Sequence, residues 1–329
     1  MSRTEAEPAD RPVVSVIIAN YNAREMLARC LASLQRHAPE RSFEVLVVDD
    51  GSTDGSDRMV RSSFPDVLLL ANSQNFGQSY SSNRAAREAR GAYLYFANND
   101  VELFPQTVDA LASFLDDHPE SAAAGSLLLN PDGSFQGGAK PLPSARTALF
   151  GRRSYITKWF PGNRFSRGEI LDWRATSGEP FRVEFVHGTS VMIRRDAFFA
   201  AGGFDERLFN FGDADLCRRL QGQGHVYCVP ASRVVHYEHS GGSGHNFRQR
   251  CWRVWRFHQD VWRYYRKHHS RGLLDPLAPI VAGLLAARCL VSYAIQGALE
   301  VERLRRSRSR HARRDDAEIG RVLQEPELP

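Results

Sequence analysis

Between Val13 and Ala97 the chain alternates short apolar, β-branched runs with stretches of helical periodicity, and few folds accommodate that alternation. Val13–Ala19, Phe43–Val48, Val67–Leu70 and Ala92–Ala97 read as strands. Between them, Met26, Leu27, Cys30, Leu31 and Leu34 recur at helical spacing, and Met59–Phe64 and Ser81–Arg90 read as further helices. Parallel strands need a crossover helix, so the pattern predicts βαβ units in a mostly parallel sheet flanked by helices. Ligands of such sheets bind beyond the carboxyl ends of the strands. The polar residues just after each apolar run are therefore the ones to read for function.

Further along, Pro105–His118 reads as a helix and Ala122–Leu129 as a strand. Residues 130–183, rich in Gly, Pro, Ser and Arg, have no clear period and read as long loops with short strands. Order returns with a strand over Val183–Ile193 interrupted by His187-Gly188-Thr189, a helix Asp196–Ala201, a turn at Gly202-Gly203 and a helix starting near Asp213. With 329 residues and 42% hydrophobic composition, the chain can bury one large α/β core plus a small appendage. The five cysteines, odd in number and without Cys-x-x-Cys spacing, are expected to be reduced thiols. Met1 to Pro12 is polar and acidic with no apolar core of a signal peptide, so a cytoplasmic location is expected.

Three polar clusters carry chemistry. Asn98-Asn99-Asp100 follows the run Ala92–Ala97, and a carboxylate flanked by amides suits a hard cation that brings its own phosphate oxygens. Asp49-Asp50-Gly51-Ser52-Thr53-Asp54 closes the second strand; Asp50 is the candidate for reading a base or ribose, although an ordinary Asx-turn and helix cap has the same composition. In Phe211-Gly212-Asp213-Ala214-Asp215-Leu216 the two acids lie two apart, so on a helix they face different ways. One is expected to serve catalysis and the other structure.

Taken together, these clusters resemble the ordered motifs of family-2 glycosyltransferases: Val14–Asn22, Val47–Ser56, Asn75-Phe76-Gly77 with Asn83, Asn98-Asn99-Asp100, Gly202-Gly203-Phe204-Asp205-Glu206 and Asp213–Leu216. The likeness covers about residues 12 to 240 and is greatest to bacterial rhamnosyltransferase-type enzymes that build surface polysaccharides. It implies a GT-A fold and inverting transfer from a nucleotide-activated sugar. Ala19, Tyr21, Asp50, Ser52, Asn75, Gly77, Asn83 and Asn99 fall at positions that hold the nucleotide sugar. Asp100 matches the metal-binding acid of the Asp-x-Asp motif, with Asn98 in place of its first acid, and the metal is Mn2+ or Mg2+. His236 resembles a late histidine that completes metal coordination, with His239 as its competitor. Asp213 resembles the general base, with Gly212 where Glu is common. His187-Gly188-Thr189-Ser190 offers backbone donors near the sugar, or is a plain turn.

The C-terminal part differs in composition. Trp252, Trp255 and Trp262 recur at helical spacing among Arg253, Arg256, Arg263, Arg266 and Lys267, which suits a lipid interface or a helix docked with its cationic heads in water. Leu277–Leu299 is apolar but interrupted by Pro279, Gly283 and Arg288, so an in-plane or docked helix is expected in preference to a transmembrane one. Seven arginines between Arg303 and Arg314 suit an acidic surface or a solvated, disordered end; without a recognition motif they do not point to nucleic acid. The expected organisation is a flexible 1–11, a GT-A domain 12–245, an amphipathic helical appendage 246–300 and a basic disordered tail 301–329. The expected partners are a nucleotide-sugar donor, a saccharide acceptor linked to polyprenyl diphosphate, and the anionic inner face of the cell membrane, where the protein would be peripheral. A sugar-nucleotide-binding protein without transferase activity, or a membrane adaptor, are the alternatives.

Overall fold

The structure, a computed structural model, describes residues 11–144, 159–160, 177–237, 246–272 and 274–322. It divides into two compact units, Met1–Gly242 and Ser243–Pro329. Described elements of the first unit are, in chain order, β1 (Val14–Asn20), α1 (Arg24–Arg36), β2 (Phe43–Asp49), α2 (Ser56–Ser63), β3 (Leu68–Ala71), α3 (Gln78–Glu88), β4 (Tyr93–Asn98), β5 (Val101–Leu103), α4 (Thr107–Asp117) and β6 (Ser121–Leu129). They continue with β7 (Ala139–Lys140), β8 (Phe181–Val183), β9 (Phe185–Val186), β10 (Ser190–Arg194), α5 (Arg195–Ala200), α6 (Gly212–Leu220) and β11 (His225–His236).

The main sheet runs β3-β2-β1-β4-β10-β6-β11-β5, with β8 also paired to β11. β3, β2, β1 and β4 are mutually parallel, and so are β6 and β11. This is the mostly parallel sheet that the alternation predicts. Both faces of β1, β2 and β4 are covered, which is why these strands are runs of apolar residues and not alternating patterns. On one face α1 contributes Leu27, Cys30, Leu31 and Leu34, and α4 contributes Val108, Leu111, Ala112 and Leu115, to a single core with Val16, Ile18 and Tyr95. The register sets the strand ends level: Asn20 pairs with Asp49, and Ala19 with Asn98.

Three expectations are corrected. The segment Val183–Ile193 is not one interrupted strand but parts of three, in different places. β8 pairs with β11, β9 forms a separate two-stranded sheet with β7, and β10 runs antiparallel between β4 and β6. Apolar patterning reports burial and not the partner strand, so it could not separate them. β9 packs closely on β6: a Cβ added at Gly125 would lie 2.6 Å from the Cβ of Val186. Much of the loop region expected over 130–183 lies outside the described residues, as do Met1–Asp10 and His239.

The other two corrections concern the second unit, which is built on α7 (Phe247–His268) and α8 (Ala278–Val322). A capping box between Asn246 and Gln249 starts α7. The stretch Leu277–Leu299, expected from Pro279, Gly283 and Arg288 to be too interrupted for the length of a span, lies from Ala278 onward in one continuous helix. Pro279 falls in the first turn of α8, where a missing N–H costs no hydrogen bond, and the helix runs on through Gly283 and Arg288. Ala278–Arg303, 26 residues with mean hydropathy 1.8, is long and apolar enough to cross a membrane by length and composition alone. The basic segment after residue 300, expected to be disordered, continues α8 as far as Val322.

Two measurements check this packing. Tyr93, at the start of β4, donates to Asp116 of α4, which also takes a hydrogen bond from Arg41. Burial opposes ionisation of Asp116, but the hydrogen bonds from Tyr93 and Arg41 and the charges of Arg41 and Arg194 outweigh it and hold the carboxyl below its ordinary range. A folded-state pKa below the unfolded value of about 3.9 gives stability that is present above it and lost as pH falls through the folded value. Asp116→Asn should therefore lower Tm at neutral pH, with the deficit shrinking below about pH 4. Burial pushes the thiols of Cys30, Cys217 and Cys228 up to about 12. In the native protein an alkylating reagent at neutral pH should label the partly exposed Cys251 and leave these three unmodified until unfolding.

Candidate active site

The ends of β1, β2 and β4 meet at one rim, held by side-chain amides. Asn20, 2% exposed, donates from Nδ2 to Asp49 Oδ1 at 3.2 Å and accepts at Oδ1 from Asn99 Nδ2 at 2.8 Å. Asp49 closes the turn behind β2 by accepting from Ser52 N, and Ser52 Oγ in turn accepts from Asn22 N at 2.9 Å. Gly51 permits this turn: its φ is +73°, and a Cβ there would meet the Gln74 backbone at 2.7 Å. Ser52, Asn99 and Asn20 thus form the frame of the rim, while Tyr21 next to it is 48% exposed and Asn75 is exposed.

Asp50 is buried under the loop that precedes α3. Its Oδ1 accepts from Asn72 Nδ2 at 2.7 Å and Phe76 N at 3.0 Å, and its Oδ2 from Gly77 N at 2.8 Å. Gly77 adopts φ +95° to make that bond. Asp50 therefore organises the Asn75-Phe76-Gly77 loop with both oxygens. Asn83, one turn into α3, has its amide engaged elsewhere: it donates to Phe204 O and Glu206 Oε1, both at 2.9 Å, and accepts from Phe204 N. It pins the Gly202-Gly203-Phe204 turn to α3.

From Asp50 a short route leads across the rim. Gln78, next after Gly77, donates to Asn98 Oδ1 at 2.8 Å, and Asn98 Nδ2 lies 3.4 Å from Thr189 Oγ1. Thr189 Oγ1 is 2.8 Å from His187 Nδ1, and Gly188 N donates to Asp213 Oδ2 at 3.2 Å. Asp50, Asn98 and Asp213 are thereby joined at one end of the sheet. Gly188 is what allows the close approach, since a Cβ there would stand 3.3 Å from the Asp213 Cβ. Asp213 opens α6 and also accepts from Ala214 N. Asp215 is wholly buried and ion-paired with Arg219 of the same helix at 2.6 Å, so of the two acids it is the structural one.

Asp100 and His236 face each other because β5 pairs antiparallel with the end of β11, Val101 opposite His236. His236 Nε2 is 3.3 Å from Asp100 Oδ1, an oxygen that is buried and accepts no hydrogen bond among the described residues. Gln136 sets the state of the ring. Its Nε2 donates to Asn130 Oδ1 and to His236 O, which turns its Oε1 toward His236 Nδ1 at 2.6 Å. Nδ1 then donates to Gln136, and Nε2 is the ring atom that faces the Asp100 oxygen. One carboxylate oxygen and one imidazole nitrogen at this spacing are donors that would suit a divalent cation. The amide oxygen of Asn98, expected among the ligands, accepts a hydrogen bond from Gln78.

Sequence reasoning did not find Gln78 or Gln136. Gln78 directly follows a recognised motif and could have been included on that ground. Gln136 lies in a stretch without periodicity and gives no local signal.

Comparison with known proteins bears on the family and the fold. The family model described as glycosyl transferase family 2 matches residues 15–199. An N-acetylglucosaminyl-diphospho-decaprenol L-rhamnosyltransferase of Mycobacterium tuberculosis is 32% identical over 84% of this chain and 91% of its own length. A glucosyl-dolichyl phosphate glucuronosyltransferase of Haloferax volcanii is 23% identical over 81% of the chain and 78% of its own. Among solved structures, a mannosyltransferase of Pyrobaculum calidifontis in complex with GDP-Man and Mn2+ aligns with a TM-score of 0.54 and 19% identity, covering 89% of this chain and 75% of that one. The chain belongs to glycosyl transferase family 2 and is a glycosyltransferase with the mixed α/β fold of its GT-A neighbours.

Proposed function

We propose that this enzyme transfers a sugar, rhamnose being the leading candidate, from a nucleoside diphosphate to a hydroxyl of a saccharide linked to polyprenyl diphosphate, with inversion at the anomeric carbon, in the synthesis of a cell-surface polysaccharide. The observation that carries the reading is the close approach of Asp100 Oδ1 and His236 Nε2, 3.3 Å apart, with Asp213 tied to the same end of the sheet through Gly188. The 32% identity to a rhamnosyltransferase named for a decaprenyl-diphosphate acceptor supports the sugar and the acceptor class.

Asp100 and His236 would hold Mn2+ or Mg2+, which neutralises the charge that develops on the departing diphosphate. The remaining chemistry falls to the chain. An acceptor hydroxyl is a weak nucleophile, and Asp213 takes its proton as the oxygen attacks the anomeric carbon and the bond to the diphosphate breaks. Gly188 N and the Ala214 N–H fix the carboxylate's orientation. Asp50 acts through the loop it braces, so that Phe76 and Gly77 form the wall beside the nucleotide; Tyr21, exposed at the end of β1, provides a surface on which the base stacks. With a lipid-linked acceptor the enzyme would work at a membrane surface.

Asp213→Asn removes the base while keeping the side chain's size and one of the two backbone N–H bonds it accepts. It should lower nucleotide release from the sugar nucleotide by about 10²- to 10⁴-fold in kcat, with little change in Tm or in donor KM; unchanged turnover would exclude this base. Independently of activity, Mn2+ added with a nucleoside diphosphate should raise Tm of the wild-type protein, and chelation should reverse the shift. In Asp100→Asn and His236→Ala the Mn2+-dependent part should disappear; a shift that survives in both would remove these residues from the metal site.

A further inference from the structure

We infer that α8 lies in the plane of a lipid bilayer's surface, with its outward side sunk to the acyl boundary, and that it does not cross the bilayer. This deepens the reading of a lipid-linked acceptor and rests on it only for its purpose. The apolar stretch Ala278–Arg303 is 6% buried in its most hydrophobic part, which separates it from a core helix of a soluble domain, and its position in the second half of the chain separates it from a signal sequence. Ile280, Leu284, Leu290, Val291, Ile295 and Leu299 are between 46% and 70% exposed. Water on so many large aliphatic side chains of one helix is unfavourable, and an apolar medium relieves it.

Gln296, Glu300 and Arg288 of this stretch contact α7. Arg250 donates to Gln296 Oε1 at 3.2 Å and pairs with Glu300, and the guanidinium of Arg288 stands 5.3 Å from the Phe257 ring centroid. Contacts of 250 with 296 and 300, and of 257 with 288, run antiparallel, so α7 lies alongside this half of α8. That packing decides the mode of insertion. At about 1.5 Å per residue the stretch would reach across a core of about 30 Å. To do so, however, it would have to carry its neighbour in, and α7 bears Arg248, Arg250, Arg253 and Arg256 along the same length. Cationic residues also flank both ends: Arg266, Lys267 and Arg271 before the stretch, Arg303 and Arg305 after it. A crossing helix would place one of these groups on the wrong side, whereas a helix in the plane keeps both at the anionic headgroups. Trp252 and Trp255 of α7, each 51% exposed, suit the same depth.

The full-length protein, added to preformed vesicles of phosphatidylcholine with about a quarter phosphatidylglycerol, tests this by flotation. We expect it to float and to remain bound in about 1 M NaCl, where charge attraction alone is screened. External trypsin should then remove the arginine-rich end. Leu284→Glu with Leu290→Glu, both on the exposed side, should lower the bound fraction at least about tenfold while nucleotide release with a soluble saccharide acceptor is unchanged. Complete release of the wild type by salt would overturn the inference in favour of charge-only contact. Protection of the tail from trypsin would overturn it in favour of a crossing helix, and a salt-stable dimer that does not float would show that a second copy covers this side. Because donor turnover is read separately, loss of transfer with intact flotation would refute the proposed function and leave the membrane inference standing.

Discussion

The amide of Asn20 fixes the geometry on which the rest of the site depends. It is buried at the end of β1, gives its N–H to Asp49 on β2 and accepts from Asn99 after β4, so three neighbouring strand ends are tied into one rim. An apolar residue there would leave buried acceptors on Asp49 and a donor on Asn99 without partners, at a cost of about 1–3 kcal/mol for each unsatisfied group. The rim is what the functional groups stand on. Asp50 follows Asp49, Asp100 follows Asn99, and the loop carrying Gly188 comes to Asp213 across Asn98 and Thr189.

Two kinds of acid occur along this rim, and their hydrogen bonds tell them apart. Asp49, Asp50 and Asp215 are buried with their oxygens engaged by backbone N–H groups, an amide or an arginine, which is how a carboxylate acts as a structural brace. Asp100 keeps a buried oxygen that accepts no hydrogen bond among the described residues, 3.3 Å from the Nε2 of His236. A buried carboxylate oxygen without a hydrogen-bond donor is a reason to look for function there, whereas a satisfied carboxylate is not. Asn98 belongs to the first group in effect: because an amide both donates and accepts, it can take Gln78 on one side and Thr189 on the other.

The same division explains which residue assignments the sequence could support. The motif Asn98-Asn99-Asp100 pointed to a strand end but not to the partners of its three side chains, since Gln78, Asn20 and His236 come from distant parts of the chain. Asn83 was drawn toward the nucleotide by its place in a motif series, yet its amide holds the turn at Phe204. Gln136, which sets the tautomer of His236, sits in a stretch with no period at all.

By itself the sequence determined what is local and periodic: the strands and helices up to β6, the parallel character of the sheet, and the polar clusters at the strand ends. Those follow from burial on two faces and from turn chemistry, both written in consecutive residues. Only the tertiary structure decided that Phe181–Arg194 is divided among three pairings, that β5 meets β11 so that Asp100 faces His236, that Asp215 belongs to Arg219, and that α8 passes unbroken through Gly283 and Arg288. Each of these is a choice among partners far apart along the chain, and hydrophobic patterning records that a residue is covered without recording by what.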